Sequence, residues 1–279
     1  MCQKDNIKTG IVFSGGIAKG AYQIGFCKAL ENHNFIQILA ISSASIGVLN
    51  GYALSVGKIS EAEDLWKNVN IKGYKQIYNK IFKSKLIYDL IEELHSESDK
   101  LNITLYSSFW TPPTIKPKYI SLKSLDGKSR LDYLKASVSL PPIMKPVIID
   151  DVKFYDGAIV DNTPISPLSV FKLDLIICIQ FDGYIPAFKS NEISCPILFL
   201  NLQNKCCISD SFHLDKTQIE SMIDYGYTVG ENTLTLIEKN YRDYESFLKF
   251  ISYYNSQLKE NPISGDYLVR RINRISKRL

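Results

Sequence analysis

Short apolar runs rich in β-branched residues alternate along this chain with segments whose apolar residues recur at helical spacing. After the run at residues 10–13, for example, the apolar positions at helical spacing are Ala21, Ile24, Cys27 and Leu30. The runs at residues 173–180 and 196–200 are almost continuously apolar, as strands buried on both faces of a parallel sheet are. Alternation of strand and helix predicts an α/β fold, here a three-layer α/β/α domain with a mainly parallel central sheet.

The chain has 279 residues, 45% of them hydrophobic, which is enough to build the core of one large domain. We expect residues 8–235 to form this domain and residues 236–279 to form a C-terminal helical segment packed on it. Apolar residues flank Asp150 and Asp151, which predicts a hairpin. Residues 99–117 contain several prolines and are predicted to form a loop region.

Composition argues against several classes of function. The net charge of +4 is too small a bias to indicate a nucleic-acid partner. With three histidines and no Cys-x-x-Cys pair, the sequence does not predict a zinc site. No cleavable signal peptide and no membrane-spanning run is visible, so we expect a cytoplasmic protein whose contact with membranes, if any, is peripheral.

Residues 43–47, Ser-Ala-Ser-Ile-Gly, follow an apolar run and precede a helix of small residues. A nucleophile elbow needs this context, because the chain turns sharply from strand to helix and leaves a serine hydroxyl exposed at the turn. Ser45 is therefore a candidate nucleophile, and Gly47 supplies the small neighbour that the turn requires. A capped helix start explains the same pattern equally well.

Two further segments can carry chemistry. The glycine-rich turn at residues 14–20 directs backbone N–H groups into one concavity, which can hold a phosphate or an oxyanion. It has neither the P-loop spacing nor the dinucleotide fingerprint, and an ordinary tight turn is the alternative. Asp156, followed by Gly157, ends a predicted strand, where a common turn is again the alternative.

Taken together, residues 14–21, 43–51 and 156–158 resemble the signature segments of the patatin-like phospholipases. Residues 136–141 and 162–164 resemble two further motifs of that family. The resemblance covers roughly residues 8–235 and implies a patatin-like α/β/α domain. It also implies a lipid acyl hydrolase of the phospholipase A or lipid esterase type. Phospholipid or another lipid ester is the implied substrate, with no cofactor and no metal.

The resemblance assigns roles to individual residues of this chain. Ser45 would attack the acyl carbonyl, while Asp156 would accept the serine proton directly and later activate water. Backbone N–H groups of three residues would hold the oxyanion, namely Gly15, Gly16 and Ile17. Supporting roles would fall to Lys19, Gly20, Gly47 and Gly157.

A direct aspartate base must hold a proton more tightly than a free aspartic acid, whose pKa is about 3.9. Burial beside apolar walls would raise the pKa of Asp156. Tyr155 and Ile159, its neighbours in sequence, are the predicted walls.

Two residues depart from the family pattern. Ile17 stands in place of the third glycine, and a β-branched residue resists positive φ, so the loop must either keep an ordinary backbone or carry strain. Ser43 stands in place of the first glycine of the elbow and adds a small side chain where packing is tight. Neither change removes the nucleophile or the acid.

Several alternatives stay open at the level of sequence. His213 could complete a Ser-His-Asp triad, since the chain order of the three residues matches that of α/β-hydrolases. The same scaffold could serve a thioesterase, a protease, an acyltransferase or a non-catalytic lipid-binding protein. The basic tail at residues 268–279 could lie on an anionic membrane or dock as a terminal helix. The sequence makes no prediction of oligomeric state.

Overall fold

The computed structural model describes residues 6–69, 71–72, 86–181, 184–186, 192–202, 213–241 and 243–260. The strands are β1 Ile7–Phe13, β2 Ile36–Ser43, β3 Ile71–Lys72, β4 Thr104–Trp110, β5 Lys118–Ser121, β6 Val147–Ile149, β7 Val152–Asp156, β8 Leu175–Gln180, β9 Tyr184–Ile185, β10 Ile197–Asn201, β11 His213–Leu214 and β12 Lys259–Glu260. The helices are α1 Gly20–Glu31, α2 Gly47–Val56, α3 Ile59–Asn68, α4 Leu86–Leu94, α5 Gly127–Ser137, α6 Lys216–Asn240 and α7 Tyr244–Ser256.

The centre of the protein is an eight-stranded sheet of order β10-β8-β1-β2-β4-β7-β6, with β5 paired to β4. The neighbours from β10 to β4 are all parallel, so their carboxyl ends lie along one edge of the sheet. The remaining pairs, β4 with β5, β4 with β7 and β6 with β7, are antiparallel. The predicted α/β fold with a mainly parallel sheet is confirmed.

Strand β4 lies inside this sheet, although residues 99–117 were expected to form a loop, and that prediction was wrong. Ser107 and Ser108 interrupt the apolar pattern of the strand, yet both are fully buried. The Ser108 hydroxyl donates to the Asp161 carbonyl, and the backbone of the strand is hydrogen-bonded on both edges, to β2 and to β5. The prolines that suggested a loop come after the end of the strand.

The two faces of the sheet are covered differently. A large hydrophobic core joins one face to helices α1, α2, α3 and α6. The other face packs a smaller cluster, which includes Val12, Ile176 and Cys178, against the short 3-10 helix Ser166–Val170 and its neighbours. Helix α3 begins at Ile59 without a side-chain cap.

Helix α6 runs through position 235, so the predicted boundary between the main domain and the C-terminal segment falls inside one continuous helix. Helix α7 packs on strand β10, where the Asn255 side chain accepts from the Phe199 N–H and donates to the Ile197 carbonyl. The basic tail at residues 268–279 lies outside the described residues. Within the described ranges, no helix combines the length and the hydropathy needed to cross a membrane.

Strands β2 and β7 share one edge of β4. Strand β2 pairs with residues 104–107 of β4, and β7 pairs with Phe109 and Trp110. Strand β5 pairs with residues 106–109, so it must occupy the opposite edge. Strand β7 therefore continues the sheet where β2 leaves it, which brings the last residue of β7 close to the turn that follows β2.

Helices α1 and α6 pack backbone against backbone, which generates a test of the fold. A Cβ atom on Gly226 would lie 2.0 Å from the Tyr22 carbonyl oxygen. We expect Gly226→Ala to lower the free energy of unfolding by about 2 kcal/mol, because the clash outweighs the gain in helix propensity. Denaturant titration measures this loss.

Gly57→Ala is the control for this experiment. Gly57 has a φ of 77°, but a Cβ added there would have no other atom within 4 Å, so only the left-handed backbone is penalised. We expect a loss of about 1 kcal/mol at this position. An equal loss in the two variants would contradict the close approach of α1 and α6.

Candidate active site

Three chain segments meet at the carboxyl edge of the parallel strands. The glycine-rich loop follows β1, the predicted elbow follows β2, and Asp156 ends β7. Ligand sites of open α/β sheets form at this edge, because the loops that leave adjacent strands converge there. The structure thus brings together Ser45, Asp156 and the loop at residues 14–20, which are far apart in the sequence.

Ser45 lies at a sharp turn between β2 and α2 and has a φ of 52°. A left-handed conformation costs a residue other than glycine about 1–2 kcal/mol, so the surrounding contacts must hold it in place. The Ala44 N–H donates to the Phe13 carbonyl at 3.1 Å. A Cβ on Gly47 would lie 2.6 Å from that same Phe13 oxygen. The close contact of elbow and β1 explains why position 47 is glycine.

Ser43 fits the elbow without glycine. Its hydroxyl donates to the Tyr106 carbonyl at 3.0 Å, and the residue is completely buried. The extra side chain is therefore accommodated by a hydrogen bond to the neighbouring strand β4.

Asp156 is 1% exposed. Its carboxylate is hydrogen-bonded to the Ser45 side chain and accepts from the Ala158 N–H at 2.9 Å. Burial raises the pKa of Asp156 to about 7, and the two hydrogen bonds oppose this rise only in part. The carboxyl group is thus much more basic than an ordinary aspartate.

Tyr155, one of the two predicted walls of the acid, does not lie beside the Asp156 carboxylate. Tyr155 lies on the opposite face of β7 from Asp156, because successive side chains of a strand alternate. Its ring lies 5.4 Å from that of Trp110, its partner across β4. Phe109 is the residue paired with Asp156 in β4 and is fully buried. Gly157 lies against the same strand, where a Cβ would meet the Ser108 carbonyl carbon at 2.2 Å.

The glycine-rich loop has an unusual backbone. Gly16 is extended, with a φ of −170°, whereas Ile17 has a φ of 54° and begins a 3-10 helix that ends at Lys19. Of the two possibilities left open by the sequence, the strained one is observed. The Ile17 side chain packs on the main hydrophobic core, which helps to retain this conformation.

Buried polar groups hold the glycine-rich loop at both ends. The Gln23 amide donates to the Ser14 carbonyl at 2.8 Å, and the Asn50 amide donates to the Gly20 carbonyl at 2.9 Å. Asn50 also donates to Gln23 at 2.8 Å, which links the two anchors. Lys19 is buried, with its ammonium group 5.8 Å from the centre of the Phe181 ring.

Gly15 differs from its predicted role. Its N–H, expected to face an oxyanion, donates instead to Asn162, to the side-chain oxygen at 3.1 Å and to the backbone carbonyl at 3.4 Å. A Cβ on Gly15 would lie 2.7 Å from the Ser45 Cβ, so the loop passes directly beside the elbow. The motif at residues 162–164 gave Asn162 no role in the site, because its partner lies 147 positions away in the chain.

The histidines do not complete a triad among the described side chains. His33 pairs with Glu231 at 3.2 Å, and His95 contacts the Tyr52 hydroxyl at 2.9 Å. His213 lies in β11, and its side chain is outside the described residues. Within the described part of the chain, no group of acidic, histidine and cysteine side chains could hold a metal ion.

The arrangement has the chemical parts of nucleophilic catalysis. A serine hydroxyl on a strained turn contacts a buried carboxylate whose pKa is about 7. A loop of backbone N–H groups passes beside the same serine. Such a site can transfer the serine proton to the carboxylate while the serine oxygen attacks a carbonyl.

The chain is similar in sequence to proteins of one known family. The sequence profile of the patatin-like phospholipases matches residues 11–169, more than half of the chain. Uncharacterized NTE family proteins of Mycobacterium tuberculosis and Mycobacterium bovis are 22% identical over 183 residues, 63% of this chain and 49% of theirs. The chain thus spans about half the length of the curated relatives it matches.

The crystal structure of VipD from Legionella pneumophila superimposes with a TM-score of 0.49 and 13% sequence identity, over 82% of this chain and 67% of that chain. The family profile includes the elbow, the glycine-rich loop and Asp156 in a single match. This chain belongs to the patatin-like phospholipase family.

Proposed function

We propose that this protein hydrolyses acyl esters of lipids through a Ser45–Asp156 dyad. The observation that carries the proposal is the contact between the Ser45 hydroxyl and the buried carboxylate of Asp156. Family membership supports a lipid ester as substrate, because patatin-like proteins act on this class of compound.

The reaction proceeds through an acyl-enzyme. Asp156 accepts the Ser45 proton as the serine oxygen bonds to the acyl carbon, and the leaving alcohol then takes that proton as its C–O bond breaks. Water next attacks the acyl carbon while Asp156 accepts a water proton. Transfer of this proton to Ser45 releases the fatty acid. The N–H groups of Gly16 and Ile17 stabilise the oxyanion in both steps.

Exposed apolar residues beyond the carboxyl end of β4 support contact with lipid. Ile115 and Ile148 are 84% and 64% exposed, and both lie in segments that extend past the carboxyl end of β4. Lys116 follows Ile115 in the chain, and Lys153 is paired with Ile148 across the hairpin. Both lysines are exposed. Peripheral contact with a membrane is therefore part of the proposal, as is a cytoplasmic location.

Replacement of the nucleophile is the direct test of this function. We expect Ser45→Ala to reduce hydrolysis of mixed phospholipid micelles at least about 10³-fold and to abolish labelling by a fluorophosphonate. Ser169→Ala, which removes an exposed hydroxyl bonded to the Ser166 carbonyl, is the matched control and should keep full activity.

The outcomes of this experiment separate the alternatives. Labelling without lipid turnover would favour a serine enzyme of another class, such as a thioesterase. Absence of both in the parent protein would favour a non-catalytic lipid-binding protein. A loss of activity in His213→Ala equal to that in Asp156→Asn would replace the dyad with a triad.

The pKa of Asp156 predicts a pH profile. The base must be unprotonated, so we expect kcat/KM for an ester without ionisable groups to rise about tenfold per pH unit and to level off above about 7. A profile that levels off near pH 4 would contradict a buried aspartate base.

The same carboxylate should lower the stability of the protein at high pH. Because burial raises the pKa of Asp156 in the folded state, stability is lost as pH rises from the unfolded pKa, near 4, to about 7. Asp156→Asn removes this loss and keeps the acceptor for the Ala158 N–H. We expect the variant to gain up to about 4 kcal/mol over the parent at pH 8 and little at pH 4, as measured by denaturant titration.

A further inference from the structure

Asn162 connects the acid-bearing segment to the glycine-rich loop through its side chain. The Gly15 N–H donates to the Asn162 side-chain oxygen at 3.1 Å and, at the longer distance of 3.4 Å, to the Asn162 backbone carbonyl. The Asn162 side-chain amide donates to the Gly15 carbonyl at 3.3 Å. An amide side chain offers an acceptor and a donor side by side, so asparagine matches both backbone groups of Gly15. We call this bidentate pair the Asn162 clamp.

The backbone around Asn162 is itself held firmly against β4 and β5. The Ser108 hydroxyl donates to the Asp161 carbonyl oxygen at 3.1 Å. The Asp161 carboxylate accepts from the Tyr119 hydroxyl at 2.6 Å and from the Thr163 N–H at 3.1 Å. The Asn162 clamp therefore joins the glycine-rich loop to a fixed point in the sheet.

The loop needs such a fixed point because Ile17, two residues beyond Gly15, is strained. Its φ of 54° is unfavourable for a β-branched side chain. The anchors made by Gln23 and Asn50 hold Ser14 and Gly20, at the two ends of the loop. Between these ends, the clamp fixes the residue that lies against the Cβ of Ser45.

We propose that Asn162 is a positioning residue that holds the strained loop in the shape that presents the Gly16 and Ile17 N–H groups to the oxyanion. This inference rests on the proposed function. Asn162 does not touch the reacting atoms. Asn162 accepts from the Gly15 N–H, which leaves the N–H groups of Gly16 and Ile17 as the oxyanion donors.

The proposal predicts a specific kinetic change. Oxyanion donors act on the transition state, and loss of one costs about 10²–10³-fold in kcat. Loosening the loop leaves the donors present but poorly aligned, so we expect Asn162→Ala to lower kcat by about 10–100-fold. KM should change less than about threefold, because substrate binding does not depend on the oxyanion contact.

Asn255→Ala is the matched control. Asn255 forms the same kind of pair, with the Phe199 N–H at 3.0 Å and the Ile197 carbonyl at 2.7 Å, but on strand β10 at the far edge of the sheet. A merely structural asparagine would give both variants the same kinetics. Denaturation midpoints of the two variants show whether they lose similar stability.

A double-mutant cycle with Ile17→Gly tests whether strain is the reason for the clamp. Glycine accepts positive φ without cost, so the unclamped loop would keep its shape more easily. We expect Asn162→Ala to lower kcat less than about threefold when Ile17 is glycine, against about 10–100-fold in the parent. The kcat of the conservative variant Asn162→Ser, which retains one polar group, should lie between those of the parent and of Asn162→Ala. Asn162→Ser replaces Asn162→Ala in these measurements if the alanine variant does not fold.

Each outcome bears on one hypothesis. Unchanged kcat in Asn162→Ala, or an equal loss of kcat with isoleucine and with glycine at position 17, would overturn the positioning role. Ser45→Ala, assayed in parallel, distinguishes this result from failure of the proposed function. If Ser45→Ala also retains turnover, the dyad itself is wrong, whereas loss of turnover only in Ser45→Ala refutes the clamp alone.

Discussion

The burial of the Asp156 carboxylate is the condition on which the proposed chemistry depends. An aspartate in water has too low a pKa to accept a serine proton efficiently. Desolvation raises the pKa of Asp156 to about 7, close to the value that general-base catalysis at neutral pH requires. The same burial makes the charged form costly in the folded state, and hydrogen bonds from Ala158 and Ser45 offset part of that cost.

The site also stores backbone strain. Ser45 and Ile17, on two different loops, both have positive φ, and each is expected to cost about 1–2 kcal/mol. Strain of this kind persists only where the surrounding structure over-determines the backbone. Here the elbow contacts β1 through Phe13 and Gly47, while a buried chain of amides ties the glycine-rich loop to α1 and α2. The stability of the core therefore maintains an arrangement that is locally unfavourable.

Sequence reasoning succeeded where the signal was local. The hairpin around Asp150 and Asp151 was predicted from adjacent residues, and both aspartates have the positive φ that a tight hairpin turn requires. It failed at β4, because the prolines that follow this strand suggested a loop, whereas the place of the strand is set by pairing with β2 and β5. It also placed Gly15 among the oxyanion donors, since no local pattern reveals that Asn162 occupies this N–H.

By itself, the sequence determined the α/β class and the strand-to-turn context of Ser45, because these follow from periodicity and from residues adjacent in the chain. Resemblance of short motifs added Asp156 and the glycine-rich loop as candidates. Only the tertiary structure decided that β7 continues the sheet where β2 ends, so that Ser45 meets Asp156. It alone decided the strain at Ile17 and the partner of Gly15, because pairing, burial and backbone conformation there depend on contacts between distant parts of the chain.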